Sequence, residues 1–317
     1  MQAHYEKDHE AIMWILDKYE MVLRRLCLFV IIFALFFSNP GADAQENNDK
    51  TDAFVSIVPQ KYFAERIGGN FIDVSVLIGP GQSPATYNAT PKQIAALSKS
   101  DIFFAVGVPF EERLLNKASR LFPNIKIIKT QDGIKLRLME DHAHDHRHED
   151  EHHRGIYDPH IWLDPQLVKI QAENICSALS ENYPQQKIYF EANLESFESE
   201  LDSLDLLIAE LLSEYSGRGL LVFHPAFGYF TDRYGLRQIA VQVEGKEPGG
   251  KRLAKLIDFA RREKIDAIIV QEQFSQRTAQ SIADEIGCEV ISLDPLAMDY
   301  LSNMMSMTRS IRKALSR

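Results

Sequence analysis

Apolar, β-branched runs alternate with amphipathic stretches along most of this chain. Ala53–Pro59, Asp73–Gly79, Asp101–Val108 and Ile125–Thr130 are bounded by turn residues and read as buried parallel strands. Between them, Pro91–Lys99 and Phe110–Leu121 have helical spacing, the first with proline in its opening turn. Residues 131–158 break the alternation with an acidic, histidine-rich loop. A helix is expected from Gln166 to Asn182, where Pro184 interrupts it. In the stretch Gln185–Tyr215, Tyr189, Phe190, Leu194, Phe197, Leu201, Leu204, Leu207, Ile208, Leu211 and Leu212 recur at three- and four-residue spacings. They form one face of a long helix, roughly 45 Å at about 1.5 Å per residue. Beyond Gly217 the alternation resumes with Gly219–His224, Arg237–Val243, Ala267–Gln273 and Glu289–Asp294, with a helix over Lys251–Lys264. The pattern predicts an α/β fold of two Rossmann-like lobes, residues 45–184 and 216–317, joined by one connecting helix over 185–215. No clear sequence repeat relates the lobes.

The N-terminus reads differently. Arg24 and Arg25 precede an unbroken apolar run, Leu26–Phe37, followed by the small-x-small site Ala42-Asp43-Ala44. A basic segment, a short apolar segment and an A-x-A site make a secretory signal peptide. The run is shorter than the roughly 20 apolar residues of a membrane span. Residues 1–20 are polar and precede Met21, the expected start of translation, so residues 1–44 are expected to be absent from the mature, exported protein.

Composition narrows the functional classes. The formal net charge is −10, from 35 basic and 45 acidic residues, which argues against a nucleic-acid partner, whose phosphates call for a basic footprint. Three cysteines are too few for a disulfide scaffold or a cysteine-rich zinc module. Cys176 and Cys288 are expected to be free buried thiols. Of the 10 histidines, His142, His144, His146, His148, His152 and His153 crowd one short stretch. Among acidic neighbours such a stretch is a solvated insert, and its largely neutral imidazoles are also a flexible set of metal donors.

Strand ends carry the remaining chemistry, because ligands of open α/β sheets bind beyond the carboxyl ends of the strands. His224 closes one apolar run and Asp294 another, and each is followed at once by proline, Pro225 and Pro295. His160 lies beside Pro159, immediately before a helix. Imidazole nitrogens and a carboxylate oxygen in a roughly tetrahedral set suit Zn²⁺.

Several segments carry a resemblance to a known family. They are Tyr87-x-x-Thr90-Pro91, the stretch Asp101–Glu111 (DIFFAVGVPFE), Asp158–Pro165 (DPHIWLDP), His224–Phe230 (HPAFGYF), Gln273-Phe274-Ser275 and Leu293-Asp294-Pro295-Leu296. In this order, over about residues 50 to 315, the chain resembles the cluster A-I solute-binding proteins of zinc and manganese ABC transporters, the ZnuA-like group. The resemblance implies two α/β lobes with a rigid connecting helix and a metal cleft between them. It maps the second and third ligand positions to His160 and His224, and the fourth to Asp294. It also implies a monomeric periplasmic protein that delivers its metal to an ABC permease and its ATPase, and a metal-collecting role for the histidine-rich loop, residues 141–153. The first ligand position departs from the family: the pattern P-H-x-Y-x-x-T-P is met here by Pro84-Ala85-Thr86-Tyr87-Asn88-Ala89-Thr90-Pro91, with alanine where histidine belongs. Water, Gln82, Glu244 or a histidine of the 142–153 loop are the groups able to fill that place.

Histidine at position 224, where manganese-binding relatives usually carry a carboxylate, and the histidine-rich loop favour zinc over manganese. A secreted zinc hydrolase is a rival reading, with Glu272 as its candidate base, but no H-E-x-x-H helix or G-x-S-x-G elbow accompanies it. An extracellular adhesin or metal buffer is another. Tyr87, Phe227 and Tyr229 are expected to wall the cleft, and Trp162 to fix the loop around His160. No enzyme activity is expected.

Overall fold

The computed structural model describes residues 50–139, 157–242 and 248–316, all within one compact unit, Lys50–Arg317. The expected signal peptide, the loop histidines and Glu244 lie outside the described residues. Four strands, β1 (Thr51–Val55), β2 (Ile72–Val76), β3 (Ile102–Ala105) and β4 (Lys126–Lys129), form a parallel sheet in the order β2-β1-β3-β4. A second parallel sheet, β5 (Gly219–Val222), β6 (Arg237–Ala240), β7 (Ala267–Gln271) and β8 (Glu289–Leu293), has the order β6-β5-β7-β8. The two lobes therefore repeat one topology that no sequence repeat announces.

Helices α1 (Val58–Gly68), α2 (Pro91–Leu97) and α3 (Pro109–Leu121) belong to the first lobe, and α4 (Pro165–Asn182) runs into the connecting helix α5 (Lys187–Leu212). The second lobe carries α6 (Gly228–Arg233), α7 (Gly250–Arg262), α8 (Gln276–Ile286) and the C-terminal α9 (Tyr300–Leu315). Local chemistry explains where they start. Thr90 and Gln93 form a reciprocal capping box ahead of α2, with Pro91 at its first position. Asp164 caps α4 by accepting from the Gln166 amide, again with proline next. The strand expected over Ala53–Pro59 stops at Val55, because Pro59 sits in the first turn of α1, where a missing N–H costs nothing; Val58 belongs to a buried helix, whose apolar run looks like that of a strand.

On α5 the buried residues are Phe190, Phe197, Leu201, Leu204, Asp205, Ile208 and Leu212, while Tyr189 and Leu207 are exposed. Asp205 is buried because it accepts from Arg233 Nε at 2.9 Å and from the Tyr234 hydroxyl at 3.0 Å, tying the connecting helix to α6. One apolar core runs from the first sheet through α4 and α5 into Phe227, Phe230, Leu293, Tyr300 and Met304 of the second lobe. Phe63 of α1 meets Tyr300 of α9 edge to face, with ring centroids 5.0 Å apart. A smaller core is confined to the second lobe, between its sheet and α7 and α8. Because the main core is shared, swinging the lobes apart would expose buried aromatic surface at roughly 25 cal/mol per Å². No helix among the described residues is long and apolar enough to cross a membrane.

Candidate metal centre

The carboxyl ends of both sheets face a cavity of about 210 Å³. Ser83, Pro84 and Ala85 line it after β2, Pro109 after β3, and Met139, His160 and Trp162 from the segment leading to α4. His224 and Ala226 line it after β5, Gln271, Gln273 and Phe274 at the end of β7, and Pro295 and Leu296 after β8. In each sheet the chain order reverses around the central strand pair, β1/β3 and β5/β7, which is where open α/β sheets place their ligands.

His160 and His224 meet across this cavity, one from each lobe, with ring centroids 5.4 Å apart. Each ring is anchored through Nδ1. His160 Nδ1 lies 2.7 Å from Asp158 Oδ1, and the same carboxylate oxygen accepts from the His160 backbone amide at 3.0 Å. Since a carboxylate only accepts, Nδ1 carries a proton, and in the neutral imidazole the lone pair is then on Nε2. Asp158 is itself buried and held by Arg137 Nη1 at 3.2 Å, and Arg137 Nε reaches Asp232 at 3.0 Å. His224 Nδ1 lies 3.2 Å from Gln242 Oε1, and the ring stacks on Phe274 at 4.7 Å. A backing acceptor on the non-coordinating nitrogen is the usual support of a metal-binding imidazole. Trp162 is buried, packs 5.2 Å from His160 and donates from Nε1 to the Pro295 carbonyl at 2.9 Å, linking the lobes beside the cavity.

Asp294 is the other ligand expected from the sequence. It follows β8, but its carboxylate is not part of the cavity wall. Its Oδ1 accepts from the Leu296 amide at 2.9 Å and from Gln273 Nε2 at 3.1 Å, and it is Gln273 that lines the cavity. Among the described residues no three histidine, cysteine, aspartate or glutamate side chains converge as a metal-holding group. Ala85 does face the cavity, whereas Gln82, one candidate to replace it, is exposed and accepts from the Gly79 amide at 3.0 Å. Tyr87, Phe227 and Tyr229 stand behind the cavity: Tyr87 packs on Phe110 at 4.8 Å, Phe227 is fully buried, and the Tyr229 hydroxyl donates to the Asp158 carbonyl at 3.0 Å. Glu272 is exposed and does not line the cavity. Cys176 and Cys288 are free thiols, the first buried and the second half-buried.

Sequence reasoning missed the supporting groups Asp158, Gln242 and Gln273. Asp158 stands two residues before His160, a spacing that lets one carboxylate meet both the backbone and the ring of the histidine. The glutamines stand just beyond, or at the end of, apolar strands, and a polar residue there is a signal of its own.

Burial, followed by the neighbouring His160, pushes the His224 pKa down to about 3, against the opposing pull of its Gln242 hydrogen bond. The imidazole is therefore neutral and ready to ligate over the whole ordinary pH range. An unfolded histidine titrates near 6.5. Below that pH the unfolded chain binds a proton that the native site refuses, so stability falls as pH drops from about 6.5 toward 3. Glu111 acts in the opposite sense. Burial pushes its carboxyl up to about 7 despite donors from Ser56, Val106 and Gly107, so its contribution is lost as pH rises from 4.5 through 7. Urea denaturation of the metal-free protein and of His224→Asn separates the two. Between pH 6 and pH 5 the parent should lose up to about 1.4 kcal/mol more than the variant. Identical slopes would contradict the buried, neutral His224.

A family model for ZnuA, described as zinc-uptake complex component A, periplasmic, matches residues 54–314. The zinc-binding lipoprotein AdcA of Streptococcus pneumoniae (strain ATCC BAA-255 / R6) is 30% identical over 280 residues, covering 86% of this chain and 56% of AdcA. The chain thus spans about half the length of the curated relatives it matches first. A crystal structure of ZnuA is 39% identical, covers 84% of this chain and 100% of its own, and superposes with a TM-score of 0.78. A zinc-bound ZnuA deletion mutant is 38% identical over 85% of this chain and 99% of its own, with the same TM-score of 0.78. A match that runs from β1 through α9 leaves little of the described chain outside it, and the chain belongs to the ZnuA family.

Proposed function

We propose that the protein captures Zn²⁺ in the cavity between its lobes, outside the cytoplasmic membrane, and hands it to an ABC permease and its ATPase. The observation that carries this reading is the facing pair His160 and His224, one per lobe, each tied at Nδ1 so that Nε2 is free for a metal. Asp294 is the third ligand in this reading: Leu296 and Gln273 hold its Oδ1, and its other carboxylate oxygen is the donor the reading assigns to the ion. The zinc-binding relatives support the choice of ion, as does a donor set led by imidazole, since manganese prefers oxygen-rich shells. The division into an N-terminal lobe (45–184), a connecting helix (185–215) and a C-terminal lobe (216–317) belongs to the same reading. With the main core shared between lobes, capture is a local ordering of loops around the ion. The protein acts as a monomeric carrier in the periplasm; exposed Glu272 offers a bound water no general base.

The histidine-rich segment 141–153 is proposed to gather zinc for this site. Its base supports this: Leu138 and Tyr157 form an antiparallel bridge, the Asp158 amide donates to the Arg137 carbonyl at 2.9 Å, and Met139 lines the cavity. The experiment is a thermal melt of the intact and the 141–153-deleted protein with zinc or manganese. Zinc at 1,000 times its dissociation constant should add about 4 kcal/mol of stability. Deletion of 141–153 should remove weakly held ions and leave the tight site and the fold intact. A rise with manganese alone would favour manganese as cargo. No rise with either ion would overturn the reading.

A further inference from the structure

Gln273 occupies the corner of the cavity between His224 and Asp294. It stands just beyond β7, lines the cavity and is half-buried. The next residue, Phe274, carries the His224 ring stacked on it at 4.7 Å. Gln273 Nε2 donates to Asp294 Oδ1 at 3.1 Å. That bond fixes the amide, because the flipped orientation would set two oxygens against each other. Among the described residues nothing donates to Gln273 Oε1, and this oxygen is not one of the enclosed atoms left without a partner. It is an acceptor open to space on a side chain that lines the cavity.

Two histidines and Asp294 make three donors of a tetrahedral set, and Ala85 brings only a methyl group to the place of the fourth. The other lining side chains fit that place poorly. Gln271 is 1% exposed and its unpartnered Oε1 is enclosed. The Ser83 hydroxyl accepts from the Ala85 amide at 3.3 Å, and a neutral hydroxyl is outside the usual zinc donors. Met139 ends in a soft thioether, which suits Cu(I). Gln273 Oε1 remains. Its amide is also polarised in favour of a cation, since an N–H bound to a carboxylate shifts electron density toward the carbonyl oxygen.

We propose that Gln273 Oε1 is the fourth ligand of the captured ion, at the coordination place that Ala85 leaves open. The inference rests on the zinc reading above. One amide then serves the ion twice: Nε2 steadies Asp294, and Oε1 binds the metal. The set becomes two imidazole nitrogens and two oxygens, one of them neutral.

A crystal structure of the zinc-loaded parent reads this directly, with Oε1 expected about 2.0–2.2 Å from the ion. An ion held by both histidines with a water in the fourth place, and Gln273 beyond ligand distance, overturns this inference and leaves the zinc reading standing. A parent that takes up no zinc overturns both. Chelator competition separates a ligand from a mere support of Asp294. Gln273→Leu should weaken zinc by about 10-fold or more in the parent, and by a similar factor in the Asp294→Ala background, because a direct ligand does not act through the carboxylate. No loss in the parent is contrary to the proposal. So is a loss that vanishes with Asp294→Ala, which would make Gln273 a positioning residue only. If the leucine variant fails to fold, the zinc-loaded parent crystal still decides.

Discussion

His224→Ala should lower zinc affinity by about 10²–10³-fold, measured by competition against a chelator of known affinity. Complete zinc sites are worth roughly 10–16 kcal/mol, so one ligand of about four carries some 3–4 kcal/mol, and every 1.4 kcal/mol is tenfold. The loss should be specific to binding. His224 is buried beyond the carboxyl end of β5, a central strand, with its ring on Phe274, and the metal-free variant loses that stacking and the Gln242 hydrogen bond while keeping the strand behind it. A variant that binds zinc as tightly as the parent would mean that the ion sits elsewhere.

The second large effect is expected at a glycine. Gly228 opens α6, and a Cβ built there would collide with the guanidinium of Arg137 and come within 2.6 Å of Asp158 Oδ2. Glycine is required at this point because the ion pair behind His160 passes directly over the backbone. Gly228→Ala must therefore separate Arg137 from a buried aspartate, which should destabilise the fold by about 3 kcal/mol. It should also weaken zinc by about 10–100-fold, since Asp158 orients the His160 ring. Gly249→Ala is the control: among the described residues no atom beyond its chain neighbours lies within 4 Å of its Cβ, and as the N-cap of α7 it should cost no more than about 1 kcal/mol. Urea denaturation with chelator competition on both variants checks the prediction, and equal behaviour of the two would contradict the close approach.

The alternation of apolar runs and amphipathic stretches was enough to lay out two parallel-sheet lobes and the long helix between them, because buried parallel strands leave an unmistakable β-branched signal. It failed where apolar runs have no period: Val58 was assigned to a strand although Pro59 marks the first turn of α1. On α5 it counted Tyr189 and Leu207 into the buried face, and both are exposed, since spacing alone does not say how wide the buried stripe is. The repeated strand order of the two lobes was illegible, because topology is set by which strands pair and not by similar side chains.

For the candidate site, strand ends followed by proline drew attention to His224 and Asp294, and a proline-flanked segment to His160. What the spacing could not supply was orientation. Asp294 turns its Oδ1 to Gln273 and the Leu296 amide, so the residue that reaches the cavity from that corner is a glutamine. The second aspartate of DPHIWLDP, Asp164, caps α4, while the first, Asp158, supports His160; one short motif holds a helix cap and a histidine partner, and only the fold distinguishes them.

The central claim is that zinc binds between the lobes on His160 and His224. Anomalous diffraction at the zinc edge, from the protein crystallised with one equivalent of zinc, tests it most directly. The account predicts a single strong peak in the cavity, about 2.0–2.1 Å from Nε2 of both histidines. A peak outside the cavity, or one that leaves either histidine uncoordinated, would contradict it.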